Sequence, residues 1–164
     1  MNAKEAVAFV KENEAQIIDI RFTDLFGMWH HFTIPAISFS EDLFEEGLGF
    51  DGSSIRGFKS INESDMLLVP DPSTMFMDPY AEYPTAVVIC HIEDPLTRER
   101  YARDPRLVAE KAEQYLRSTG IGDTAYLGPE AGACLFDSVA YDTTPQEARG
   151  KIATEQELWK SAED

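Results

Sequence analysis

The chain opens on a helical pattern. Ala3, Ala6, Val7 and Val10 recur at three- and four-residue spacing, which predicts a first helix over 3–13. Asn2 is placed to cap it, with Glu5 in its first turn. The period then falls to two. Ile18, Ile20 and Phe22 alternate with Asp19, Arg21 and Thr23, as in a strand that buries one face. Leu25-Phe26-Gly27 reads as a turn, and residues 28–35 as the returning strand of a hairpin, with Pro35 at its edge or end. On that strand His30 and His31 fall on opposite faces and do not share one metal. Ser38 and Glu41 have capping-box spacing, which predicts a short helix ending at Gly47.

Periodicity is lost over residues 49–65, read as a long ordered loop, and returns as a brief apolar strand over 66–69. Residues 85–92 are rich in β-branched side chains and predict a strong strand. A first unit should close near Pro95. Asp104-Pro105 can cap and start a helix that presents Val108, Ala112 and Tyr115 on one face and stops at Gly120. Strands are then expected over 125–127 and 134–140. Thr144 and Glu147 have capping-box spacing, with Pro145 between them, and predict a last helix to about Ser161. Its thin stripe of Ile152, Leu158 and Trp159 would need a partner surface, in this chain or another subunit. The pattern is that of an α+β protein divided into 1–95 and 96–164.

Composition narrows the class. Of 164 residues 43% are hydrophobic, enough for a real core. Acids outnumber bases 30 to 14, and a formal charge of -16 disfavours general nucleic-acid binding. No apolar run approaches the ~20 residues of a membrane span, and the N-terminal stretch lacks a signal-peptide core. Cys90 and Cys134 cannot build a disulfide framework and fit two buried thiols in a reducing compartment. The expected location is the cytoplasm.

Candidate chemistry concentrates in Gly49-Phe50-Asp51-Gly52-Ser53-Ser54-Ile55-Arg56-Gly57. Glycines on both sides of Asp51 allow a tight turn that fixes the carboxylate, and Ser53 and Ser54 can bond amides or a ligand. Arg56 can pair with a carboxylate or phosphate. Such a loop could hold a cation near Asp51, or could be an Asx turn with local caps. Glu63 and Asp65 add carboxylates that could join Asp51 around an ammonium-like ion, or only cap a turn and face water. His91 reads as a satisfied structural side chain. Glu130 follows a rigid Gly-Pro lead-in, but one carboxylate is a poor magnesium site. No phosphate loop, dinucleotide fingerprint, nucleophile elbow or HExxH helix occurs.

Three stretches carry a resemblance: IIDIRFTDLFGMWHHFTIP, GLGFDGSSIRGFKSINESDMLLVPDPST, and CHIEDPLTRERYARDPRLVAEKAEQYLRSTGIGDTAYLGPE. In that order they resemble the N-terminal part of type I glutamine synthetase, up to about Thr144. The resemblance implies a ubiquitin-like β-grasp domain followed by a helix and a short start of the catalytic domain. It implies ATP-dependent joining of glutamate and ammonia with magnesium or manganese, in ring assemblies where this domain closes a neighbour's active site. On it, Asp51 corresponds to the aspartate that binds and deprotonates ammonium, Ser54 with Ser53 shapes the loop, and Asp65 is a supporting acid. Glu130 matches the first glutamate of the family's Gly-Pro-Glu-x-Glu-Phe-Phe-x-Phe-Asp motif, a metal ligand.

This sequence departs from that motif. It reads GPEAGACLFD, with Gly132 in place of the second glutamate and Ala133 and Cys134 in place of two phenylalanines. Losing an oxygen ligand weakens the metal position, and losing two large side chains loosens the strand. After Thr144 the family pattern gives way, and the remaining metal, phosphate and nucleotide groups are not matched. The expectation is a truncated homologue that binds no metal or ATP tightly and is inactive alone. Its expected partners are glutamine synthetase subunits or copies of itself, with ammonium near Asp51 only in a completed site. The alternatives are a non-catalytic assembly or regulatory partner of the full-length enzyme, or an engineered fragment.

Overall fold

The computed structural model describes residues 1–155, which fall into two compact units, Met1–Ala125 and a second beginning at Tyr126. Helix α1 spans Ala3–Glu12. Its capping box is complete: the Asn2 side chain accepts from the Glu5 amide at 2.9 Å, and the Glu5 carboxylate accepts from the Asn2 amide at 2.8 Å. The helix buries Ala6 and Val10.

Strand β1, Ile17–Thr23, pairs antiparallel with β2, Trp29–Pro35, in the register Ile17↔Pro35 to Thr23↔Trp29. The expected hairpin is present. Next come the short helix α2, Leu43–Glu46, then β3, Leu48–Asp51, β4, Asp65–Pro70, and the two-residue β5, Phe76–Met77. Strand β6, Thr85–Glu93, organises the sheet. Its first half runs parallel to β1, Ile17↔Thr85 to Arg21↔Ile89. Its second half runs antiparallel to β4, Leu67↔Glu93 to Pro70↔Cys90. The order is β2-β1-β6-β4-β3, with β5 also paired to β6. Ile18, Ile20, Leu68, Val88 and Ile92 are fully buried and share one core with Ala6 and Val10 of α1. This is the α+β, curled-sheet architecture of a β-grasp domain.

Helix α3, Pro105–Thr119, begins where Asp104-Pro105 places it and ends at Gly120 in the left-handed conformation. Asp104, 1% exposed, does more than cap. One carboxylate oxygen accepts from the Arg106 amide at 2.9 Å, and the other accepts from the Ile92 amide at 3.2 Å. The helix start is thereby tied to the central strand.

Several local expectations change. Residues 49–65 are not all loop: β3 occupies Leu48–Asp51 because its partner β4 supplies a ladder that periodicity alone does not reveal. Single 3-10 turns follow at Gly52–Ser54 and Ile61–Glu63. Ser38 does not start a helix; it lies in a 3-10 turn, Ala36–Ser38, and α2 begins after Asp42 without a side-chain cap. Gly47 does end α2, at φ 75.

After α3 the expected strand over 125–127 is absent, and the strand expected from 134 begins only at Ser138. Gly128, Pro129, Ala131, Gly132 and Ala133 offer little side-chain surface and no ladder partner. Strand β7, Ser138–Thr143, pairs antiparallel with β8, Ala148–Ala153, where a helix was expected. The Thr144–Glu147 spacing serves the hairpin turn instead. The Glu147 amide donates to the Thr144 hydroxyl oxygen at 3.0 Å, and the Thr144 amide donates to the Glu147 carbonyl at 2.8 Å. Threonine makes that local bond in a turn as readily as at a helix start. The rest of the expected helix, 156–161, lies outside the described residues. Cys90 is buried, but Cys134 is exposed, contrary to the expected pair of buried thiols. Among the described residues no helix is long and apolar enough to cross a membrane.

Candidate functional site

The sheet ends at β3 and β4 with Asp51 directly opposite Asp65. Asp51 closes β3 and caps the 3-10 turn after it. Its Oδ1 accepts from the Ser53 amide at 2.8 Å and from Ser53 Oγ at 2.6 Å, and its Oδ2 accepts from Ser54 Oγ at 2.8 Å. These bonds favour the charged form. The Ser53 hydroxyl, then the Ser54 hydroxyl and the Ser53 amide, hold the Asp51 carboxyl below the usual range. The result is an exposed, ionised carboxylate in one fixed orientation. The local-cap reading of the loop is thereby met: Asp51 caps its own turn through Ser53 and Ser54.

Gly52 makes the turn possible. A Cβ there would collide with the Met66 side chain on β4 and lie 3.0 Å from the Ser64 carbonyl. Its amide donates to that same carbonyl at 2.6 Å, which seats the loop against the strand. Farther along the loop, the Arg56 guanidinium stacks over Phe26 of the β1–β2 turn, 4.7 Å from the ring centroid. Arg56 therefore braces two loops through the face of its guanidinium.

Glu63 and Asp65 share a groove of about 600 Å³ whose other polar lining includes Lys59, Asn62 and Asp94. Lys59 Nζ lies 3.7 Å from Asp94 Oδ2. Asp51 is not part of that lining. Asp51 and Asp65 are thus brought together at one strand end, while Glu63 and Asp65 meet at the adjacent groove.

Glu130 lies exposed in the irregular segment before β7, within the second unit. Among the described residues, no group of three or more His, Cys, Asp or Glu side chains is placed to hold a metal ion. As arranged among the described residues, Glu130 lacks the several oxygen ligands that magnesium or manganese takes.

The histidines are placed as the alternation of β2 requires. His30 Nε2 lies 3.0 Å from Asp24 Oδ2, while His31 Nδ1 lies 2.7 Å from Asp19 Oδ1. Asp19 was expected on the exposed face but is buried, and Arg21 Nε donates to it at 2.7 Å.

A further polar cluster was not anticipated. His91 lies 3.7 Å from both Asp71 and Glu110, and Arg106 pairs with Asp71. Arg100 lies 3.4 Å from Asp104 and from Glu110. Burial, then Arg100 and Arg106, push the His91 pKa down, outweighing the two carboxylates. Its Nδ1 is buried without a hydrogen-bond partner, so His91 is not the satisfied side chain expected. Burial opposes ionisation of Asp71, but the Ser73 hydroxyl and amide, Arg106 and His91 prevail and lower its pKa. Only the regular alternation of β6 hinted that His91 would face α3.

The fold has counterparts among known proteins. Residues 14–95 match the model of the glutamine synthetase β-grasp domain. The chain belongs to that family. Glutamine synthetase of Aquifex aeolicus is 54% identical over 156 residues, covering 95% of this chain and 33% of that protein. Glutamine synthetase of Frankia alni is 49% identical over 160 residues, covering 98% of this chain and 34% of that protein. The chain thus spans about a third of the length of these relatives. In structure it is similar to Plasmodium falciparum glutamine synthetase, with a TM-score of 0.72 over 94% of this chain and 30% of that one, at 20% identity. That likeness concerns the fold.

Proposed function

We propose that these residues form the acidic, site-closing part of a glutamine synthetase. In this reading the Asp51 loop completes the active site of a neighbouring subunit in ATP-dependent amidation of glutamate with ammonia. The observation that carries it is the Asp51 carboxylate itself, ionised, exposed and oriented by three hydrogen bonds at the end of β3. An anion so fixed draws in ammonium and can take a proton from it to release ammonia, while its rigidity sets where that nucleophile stands. Asp65, opposite Asp51, adds negative potential, and Ser54 keeps one carboxylate oxygen from rotating.

The phosphate chemistry belongs to groups beyond these. Glu130 is one oxygen ligand where the family motif has two, and Gly132 contributes none. ATP and magnesium or manganese are accordingly bound by an assembled enzyme and not tightly by the 164-residue polypeptide, which makes no glutamine alone. The reading places the assembled protein in the cytoplasm, as an oligomer.

The test is an assay of γ-glutamyl hydroxamate formation, with the polypeptide alone and mixed with full-length synthetase. The polypeptide alone should show no turnover, and the mixture should form mixed oligomers. Asp51→Ala in an active assembly should depress ammonium use while leaving oligomer mass intact. Steady turnover by the lone polypeptide, or full ammonium use by the Asp51→Ala assembly, refutes the proposal. A non-catalytic regulatory role is the outcome if mixing changes turnover but Asp51→Ala does not.

A further inference from the structure

The loop that carries Asp51 is closed at one end and propped at the other. At its entrance the Gly52 carbonyl accepts from the Ile55 amide at 3.3 Å and from the Lys59 amide at 3.4 Å, so residues 52–59 fold back on one point. At its exit Phe58 is buried, and its carbonyl accepts from the Tyr101 hydroxyl at 2.8 Å. The two rings meet edge to face with centroids 5.2 Å apart. Lys59 Nζ lies 5.9 Å from the Tyr101 ring centroid, and the Gly57 carbonyl accepts from exposed Arg103 at 2.8 Å.

Tyr101 is itself hung on the centre of the fold. Its amide donates to the Ile92 carbonyl on β6 at 2.8 Å. Its carbonyl accepts from the amide of Asp104 at 3.0 Å, and the Asp104 carboxylate returns to the Ile92 amide. The Tyr101 side chain therefore connects the central strand of the sheet to the far leg of the Asp51 loop, with Arg103 holding the same leg at Gly57. The groups that orient Asp51, Ser53 and Ser54, belong to that loop and have no tie of their own to β6 in this chain of contacts.

We propose that Tyr101 is a positioning residue for Asp51: its hydroxyl, bonded to the Phe58 carbonyl, fixes the loop that sets the direction of the Asp51 carboxylate. This rests on the functional reading of the Asp51 loop, yet its physical part can be judged without it. The conservative change is Tyr101→Phe, which keeps the ring against Phe58 and removes only the bond. Released from the prop, the loop samples other conformations, and the serine hydroxyls spend less time on the carboxylate.

The experiment titrates the aspartate carboxyl carbons of the 164-residue chain by NMR, in the parent and in Tyr101→Phe. The Asp51 midpoint should move up towards the ordinary aspartate value, with shifts at the Ser53 and Ser54 amides. Asp78, held by the Tyr80 amide and Arg21 at the other end of the domain, should titrate as before and report an intact fold. In an assembled synthetase the same change should raise the KM for ammonium about fivefold, the effect of one neutral hydrogen bond, and leave the KM for ATP unchanged. An Asp51 midpoint and serine amides identical to the parent overturn the inference. The ammonium-site reading fails separately, through Asp51→Ala, so the two failures are distinguishable. If Tyr101→Phe lowers the whole melting curve, Arg103→Gln, which loosens the same leg at the exposed Gly57 carbonyl, should still move the Asp51 midpoint in the same direction. No movement in Arg103→Gln counts against the proposal.

Discussion

Asp65 stands directly opposite Asp51 in the last pair of the β3–β4 ladder. Like charges facing each other across two strands repel. Asp65→Asn should therefore raise the melting temperature slightly at low salt. The gain should vanish in high salt, which already screens the repulsion in the parent. Thermal melts at two ionic strengths check this, and a gain independent of salt would refute it.

Acid should destabilise the first unit in two stages. The folded His91 has a lowered pKa, so the unfolded chain takes up its proton first. Stability is then full above the ordinary histidine value, about 6.5, and falls as the pH drops from there towards the folded pKa. Asp71 also has a lowered pKa, so its contribution is present above the ordinary aspartate value and is lost as the pH falls through the folded one. Urea denaturation across pH should show both slopes. His91→Asn should flatten the upper stage, and Asp71→Asn should make the lower one shallower, the remainder coming from Asp24, Asp51, Asp78 and Asp94.

The two thiols should react very differently. Burial pushes the Cys90 pKa far up, while Cys134 is exposed. A disulfide reagent at neutral pH should label Cys134 promptly and Cys90 only when the domain unfolds. The fraction labelled, read by mass, should be one thiol per folded chain.

Core truncation should separate buried from exposed positions of similar chemistry. Leu68 is 0% exposed on β4, and Ile37 is 96% exposed. Leu68→Ala should cost about 2–5 kcal/mol, whereas Ile37→Ala should fall within about 0.5 kcal/mol of the parent. Asn2→Ala, which breaks the complete capping box, should cost about 1 kcal/mol. Equilibrium denaturation measures all three.

What the sequence disclosed followed from how local each signal is. The Asn2 cap of α1, the β1–β2 hairpin, the β6 strand and the Asp104 start of α3 each depend on neighbours a few residues apart, and each is present. Strand β3 was hidden because Leu48–Asp51 becomes a strand only by pairing with β4 across the intervening loop. The β7–β8 hairpin was misread because the Thr144–Glu147 spacing fits a helix cap and a tight turn equally well. For the site, glycines and serines around Asp51 announced a fixed carboxylate. The prop from Tyr101 and the crowding of His91 by α3 arise from contacts distant in sequence, and only the alternation of β6 hinted at the second.

Strand β6 is the last of the six to be synthesised, yet it occupies the middle of their sheet. Until Glu93 has left the ribosome, the nascent chain holds two separate ribbons, β1 with β2 and β3 with β4, that have nothing to zip them together. The sheet therefore cannot be completed until its last strand is made, and the contacts that join its two halves are the ones most distant in sequence.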